Sequence, residues 1–251
     1  MILPDPTVFA VALPAVIFAG ISKGGFGSGA AFASASILAL VIEPGQALGI
    51  MLPLLMLIDV STLRPYWRRW NWRDARRLLL GCVPGVALGG LLYRVAEPDV
   101  FRLLIGGICL AFIGWRAALR AGVVRLSAQP LPGWAGGLAG TVAGFTSFVS
   151  HAGGPPAAVY LLSQRLDKTT FQATTVIVFW VLNMMKFFPY AFLGIFTLET
   201  LFLDLLLAPF AVFGAWLGVR AHRVVPELLF FAITYVLLAV TGTKLIWDAL
   251  T

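Results

Sequence analysis

An all-α, multi-span membrane protein is the fold this sequence predicts, on three observations. Hydrophobic residues make up 60% of the 251-residue chain and charged residues 12%, where a soluble domain holds about 45–50% and about 25%. Apolar segments recur along nearly the whole length. The longest polar stretch, residues 64–77, leaves no room for a soluble domain. The alternating segments of roughly ten residues that mark a transmembrane barrel are missing.

Eight hydrophobic segments follow in order: 7–42, 45–66, 75–95, 99–120, 132–163, 169–195, 198–220 and 225–250. The first is far longer than the roughly 20 residues that cross a bilayer. It is interrupted by the glycine-rich Gly20-Ile-Ser-Lys-Gly-Gly-Phe-Gly-Ser-Gly29. The second carries Asp59 and runs into the basic stretch. The third holds the ladder Gly81-x3-Gly85-x3-Gly89, which suits close packing within the chain or a homodimer face. The fourth has single-span length. The fifth is again too long. It opens on a second ladder, Gly136-x3-Gly140-x3-Gly144, and breaks at Gly144-Phe-Thr-Ser-Phe-Val-Ser-His-Ala-Gly-Gly-Pro-Pro156. The sixth carries Asn183 and Lys186. The seventh and eighth are single spans.

The order of features repeats. Gly20 matches Gly144 at an offset of 124, as Ser22 matches Thr146, Gly29 matches Gly153, Asp59 matches Asn183 and Pro65-Tyr66 matches Pro189-Tyr190. A duplication is expected, with a first transmembrane repeat over 1–124 and a second over 125–251, together one transport domain.

Loop charge chooses between two topologies. If each long segment crosses once, Arg165, Lys168, Arg220 and Arg223 lie opposite the basic 64–77 loop. If each doubles back as a hairpin, they join that loop and Arg116, Arg120 and Arg125. Only Arg94 and Arg102 then stay opposite, among Asp5, Glu43, Glu97, Asp99, Glu199 and Asp248. The hairpin topology fits the positive-inside rule. A hairpin plus three spans is an odd number of net crossings, so the two repeats are inverted and both termini lie outside.

The net charge of +7 belongs to these loops, and no nucleic acid is expected as a partner. Cys82 and Cys109 lie inside apolar spans as small core residues. The two histidines stand far apart with no cysteine or carboxylate beside them, so neither a metal nor a cofactor is expected.

The breaks point to an anion. Irregular backbone at membrane depth survives only inside protein or lining a wet cavity, and matched breaks in two halves mark a transporter's substrate site. Pro155 and Pro156 suit the first turn of a returning helix, and Ser28 suits the cap of an arm beginning near Ala30. Two helix N-termini would then offer N–H groups and dipoles to an anion. Lys23 costs about 2.5–3.5 kcal/mol in a membrane core. It serves either as counter-charge to the anion or as partner to Asp59. His151 either donates to the anion and carries a proton, or stays neutral on a loop carbonyl. The expected substrate site is Ser22, Lys23, Gly24, Gly25, Ser28 and Gly29 with Thr146, Ser147, Ser150, His151, Gly153 and Gly154. Asp59, Asn183 and Lys186 rank second. Lys186, a turn past Asn183 and near Pro189, is placed to reach toward the outer interface.

The first break, Ile21-Ser22-Lys23-Gly24-Gly25-Phe26-Gly27, and the second, His151-Ala-Gly-Gly-Pro-Pro156, resemble the paired signatures of the TauE/SafE (TSUP) sulfite exporter family along the whole chain. The resemblance implies a multi-pass carrier of the bacterial inner membrane, exporting sulfite or an organosulfonate such as sulfoacetate. The residues alone imply only an anion. With no nucleotide-binding motif, export would be secondary, driven by the membrane potential or linked to protons through His151. An anion channel using the same tips is the alternative. An intramembrane serine hydrolase built on Ser28 and His151 is a weaker one, because catalysis has no need of matched halves.

Overall fold

The structure, a computed structural model, describes residues 5–26, 30–124, 129–221 and 227–251. The described residues form α1 (Pro6–Ile21), α2 (Phe32–Leu38), α3 (Pro44–Leu63), α4 (Trp72–Val95), α5 (Pro98–Arg120), α6 (Gly133–Ser150), α7 (Gly154–Ser163), α8 (Lys168–Phe192), α9 (Leu198–Ala221) and α10 (Glu227–Leu250), with no strand among them. Seven of these are long and apolar enough to cross a membrane: α1 with the turn that extends it, α3, α4, α5, α8, α9 and α10. The two overlong segments do not form long helices. The first yields α1 and the short α2, and the fifth yields α6, of 18 residues, and α7, of 10.

Helix starts follow local chemistry. α1, α3 and α5 open on Pro6, Pro44 and Pro98, where a missing N–H costs nothing. Asn71 caps α4 by accepting from the Asp74 N–H at 3.2 Å. Asp167 caps α8 by accepting from the Thr169 and Thr170 N–H groups, each at 3.0 Å. These bonds, those of Thr170 first, hold the Asp167 carboxyl below its usual range.

The second broken segment doubles back. The Leu131 N–H, just before α6, donates to Ser163 Oγ at the end of α7 at 3.3 Å, and Gln164 Nε2 donates to the Leu131 carbonyl at 3.0 Å. Entry and exit of α6–α7 therefore share one face of the molecule. The basic loop is on that face too: the Asn71 N–H donates to Thr174 Oγ1 near the start of α8 at 2.9 Å, and Arg77 packs on Gly133. So the 64–77 and 165–168 loops lie on the same side, as the hairpin topology expects. At the opposite face, Ile42, Glu43, Arg102, Asp248 and Thr251 line one cavity of about 550 Å³, and Gly49 packs on Ile195.

Two glycine seams join the first half of the chain to the second. Along one, Gly214 meets the Ile17 backbone and Gly218 meets that of Ile21, while Gly20 and Gly24 meet Gly214 and Ala215. Contacts that advance together in number mean α1 and α9 run in the same direction. Along the other, Gly81 meets Gly137, Gly85 meets Thr141, Gly144 meets Cys82 and Gly89 meets Phe148, so α6 runs with α4. Both glycine ladders of the sequence are thus used within the chain. A Cβ on Gly20 would lie 2.6 Å from backbone atoms of Gly214 and Ala215, and only glycine permits that approach. α3 packs on α8, and α5 on α10.

Candidate functional site

The first break does not interrupt α1 where the glycines begin. Helical winding continues through Ser22–Phe26 as a π-turn, a widening found often at functional sites. Lys23 sits inside that turn, buried, and its ammonium forms an ion pair with the Asp59 Oδ1 of α3. The backbone that the π-turn loosens is held from outside: Gln172 Nε2 of α8 donates to the Lys23 carbonyl at 3.5 Å. Gly24 and Gly25 turn toward α9, where they face the backbones of Ala215 and Gly218. Ser22 is fully buried. Ser28 and Gly29 lie outside the described residues. The N-cap of α2 is Ala31, with no side-chain bond, so the expected start near Ala30 shifts by a residue or two.

The second break is a helix end. α6 stops because His151 takes a left-handed conformation, φ 56°, which frees the last carbonyls of α6. Two carbonyls of this last turn accept from side chains of α8, that of Ser147 in addition to the His151 N–H. The Tyr190 hydroxyl donates to the Phe148 carbonyl at 2.6 Å, and Lys186 Nζ donates to that of Ser147 at 3.1 Å. Thr146 and Ser150, expected as donors to a ligand, instead bond carbonyls of their own hairpin: Thr146 Oγ1 those of Val142 at 2.8 Å and Ala152 at 3.0 Å, Ser150 Oγ that of Thr146 at 3.0 Å. Gly153 packs on Ala143 and Ser147. Prolines at 155 and 156 have no N–H, and Ala157 donates to the Gly153 carbonyl at 3.3 Å. The anion-binding potential of the α7 start therefore rests on the N–H groups of Gly153 and Gly154.

The two breaks meet through α3 and α8. Asn183 Nδ2 donates to Asp59 Oδ2 at 2.7 Å, so Asp59 holds Lys23 on one oxygen and Asn183 on the other. One turn further along α8, Lys186 is completely buried rather than extended to an interface, and its Nζ lies 2.8 Å from His151 Nδ1. The far nitrogen of the ring, Nε2, lies 3.3 Å from the Leu48 carbonyl of α3. A carbonyl only accepts, so Nε2 carries the hydrogen and Nδ1 is the atom that shares a proton with Lys186. With both nitrogens engaged, His151 has none free to activate a serine.

The two buried lysines are not partnered alike. Lys23 and Asp59 cancel. Among the described residues no carboxylate pairs with Lys186; its partners are a carbonyl and an imidazole nitrogen. The C-terminal dipole of α6 compensates it only in part, since a helix end carries about half a charge. Asp204, another buried carboxylate, stands on α9 and makes no hydrogen bond to these groups.

Sequence reasoning gave Lys186 the wrong surroundings and no role to Gln172 or Tyr190. The signal for two of them was present: Asn183, Lys186 and Tyr190 at i, i+3 and i+7 share one helix face. Gln172 had no such sign.

A family model described as sulfite exporter TauE/SafE matches residues 12–245. No curated protein and no solved structure matches the chain.

Proposed function

The chain belongs to the TauE/SafE sulfite exporter family, and we propose that it exports sulfite or a small organosulfonate, with Lys186 as the substrate's counter-charge. One observation carries this reading: Lys186 is buried without a carboxylate while the other buried lysine, Lys23, has one. An isolated buried charge costs several kcal/mol, and an anion beside Lys186 removes that cost. The N–H groups of Gly153 and Gly154, at the start of α7, are the donors nearest in sequence. Lys23 and Asp59 position the first break rather than bind the anion.

Export would be secondary. The Lys186–His151 contact provides a place to take up or release one proton with the anion, so the loaded site can be neutral. Burial of Lys186 from both faces favours a carrier that alternates over an open anion channel. The two halves are proposed to be inverted repeats, 1–124 and 125–251, in the bacterial inner membrane. Supporting this, α1 pairs with α9 as α6 pairs with α4, and the two pairs enter from opposite faces.

The test is counterflow in proteoliposomes. Purified protein loaded with unlabelled sulfite inside should accelerate entry of labelled sulfite, with saturation, and Lys186→Met should abolish both. Flux that is linear in sulfite and indifferent to internal sulfite would support the channel instead.

A further inference from the structure

The lysine–imidazole contact sets an upper limit on the charge of the site, and the limit names the charge class of the substrate. Lys186 Nζ and His151 Nδ1 lie 2.8 Å apart, a hydrogen-bond separation that needs one nitrogen to be an acceptor. A proton on Nδ1 together with a full ammonium on Lys186 would aim two donors at each other. Turning the ring gives no escape, since Nε2 is committed to the Leu48 carbonyl at 3.3 Å. The pair can therefore hold an ammonium beside a neutral ring, an imidazolium beside a neutral amine, or, after losing a proton, a neutral amine donating to the neutral ring. The pair carries one positive charge at most, and two charges are excluded.

The remaining charged groups at this place are Lys23 and Asp59, which cancel in their ion pair. The other titratable groups packed here are Cys82 and Tyr190. The Tyr190 hydroxyl donates to the Phe148 carbonyl, and Cys82 is a buried free thiol; neither adds a positive charge. The whole cluster thus offers at most one net positive charge.

We propose that the site selects singly charged sulfur anions, such as a simple alkylsulfonate or hydrogensulfite, over doubly charged ones such as sulfate, thiosulfate or a carboxyl-bearing sulfonate. This rests on the reading of Lys186 as the substrate's counter-charge. A monoanion leaves the filled site neutral. A dianion leaves one negative charge buried without a partner, which is the situation that buried sites reject. Shape contributes little to the distinction, because methanesulfonate and sulfate are both tetrahedral at sulfur and both present three oxygens to one side.

Isothermal titration of the purified full-length chain in detergent, at fixed pH and ionic strength, tests this with methanesulfonate, sulfate and thiosulfate. The expected result is methanesulfonate bound at least tenfold more tightly than either dianion. Asp59→Asn frees the charge of Lys23 and raises the site to two, so the ratio of sulfate to methanesulfonate affinity should rise at least tenfold in that variant. Equal or tighter binding of the dianions by the unmodified protein overturns the charge limit and leaves the anion site itself standing. An unchanged ratio in a folded Asp59→Asn protein overturns it too. Heat from none of the three anions overturns the anion site and the charge limit together. The comparison within the unmodified protein decides the matter even where the variant fails to fold.

Discussion

Asp59 and Asn183 stand 124 residues apart, the same offset that aligns the two breaks, and they hydrogen-bond to each other at 2.7 Å. In the proposed inverted repeat, these two positions flank the twofold axis. The carboxylate on one side and the amide on the other let the pair close without like-charge repulsion, and they leave one carboxylate oxygen for Lys23.

Removing the amide should therefore be felt directly. Asn183→Ala leaves a buried carboxylate oxygen without its donor, and an unsatisfied group of this kind costs about 1–3 kcal/mol. Thermal unfolding in detergent should fall accordingly. Asn183→Asp should cost more, because it sets two carboxylates at hydrogen-bond distance. A variant as stable as the parent would mean that the contact carries no weight.

The Lys23–Asp59 pair should behave as one unit. Lys23→Met strands a buried carboxylate and is expected to cost about 3–5 kcal/mol. Lys23→Met with Asp59→Asn should recover most of that loss, since exchanging a buried pair for neutral groups is often tolerated. Additive losses in the double variant would show that the two side chains act separately.

Lys186→Met should do the reverse, sparing the fold and removing the ligand response. In the parent, if sulfite is the substrate as proposed, about a hundredfold excess over Kd should stabilise the folded state by about 2.7 kcal/mol. The variant should show no sulfite-dependent shift while keeping a cooperative unfolding transition. A full shift in the variant would transfer the counter-charge back to Lys23.

The helix glycines separate into crowded positions on the seams and open ones elsewhere. A Cβ on Gly144 would lie 2.5 Å from the Cys82 carbonyl oxygen, whereas one on Gly107 of α5 would meet nothing within 4 Å. Gly144→Ala should lower the unfolding temperature through a forced separation of α4 and α6, by about 1–3 kcal/mol. Gly107→Ala should be neutral or stabilising, by up to about 1 kcal/mol of helix propensity. Similar effects at the two sites would refute the close approach.

Sidedness is open to labelling. Cys82 and Cys109 are buried, so single new cysteines report alone. Cysteines replacing Trp70 and Arg165 should react with impermeant maleimide from one side of the membrane, and a cysteine replacing Asp248 from the other. Reaction of the cysteine at 165 from the side opposite that at 70 would sink the hairpin topology.

Much of this was legible in the sequence, for identifiable reasons. Two apolar segments exceeded the length of one crossing, and loop charge favoured folding back over a single crossing; Leu131 beside Gln164 bears this out for the second of them. Asp59 and Asn183 were matched by offset alone. The direction of side chains was not legible. Thr146 and Ser150 look like ligand donors in a string of letters, but in a helix a short hydroxyl side chain reaches the carbonyl four residues back, as both do here, and Thr146 also reaches that of Ala152. Lys186 looked like a snorkelling lysine because Pro189 suggests a helix end. In fact α8 runs on to Phe192 through that proline, which keeps Lys186 within the protein. Whether a lysine pairs with a carboxylate or an imidazole is decided by helices far apart in sequence.

The exchanged seams also govern how the chain comes to be built. α1 emerges from the ribosome well before the helix it lies along, α9, which carries its contact glycines at 214 and 218. α4 likewise waits for α6. A nascent chain of the first half has therefore made a hairpin arm with glycines facing empty space and no partner backbone to cover them. The first half alone lacks this packing; most of the chain must be inserted before α1, already beside α2 and α3, gains the helix its glycines fit. Separately expressed halves should then be unstable singly and rescue each other when made together.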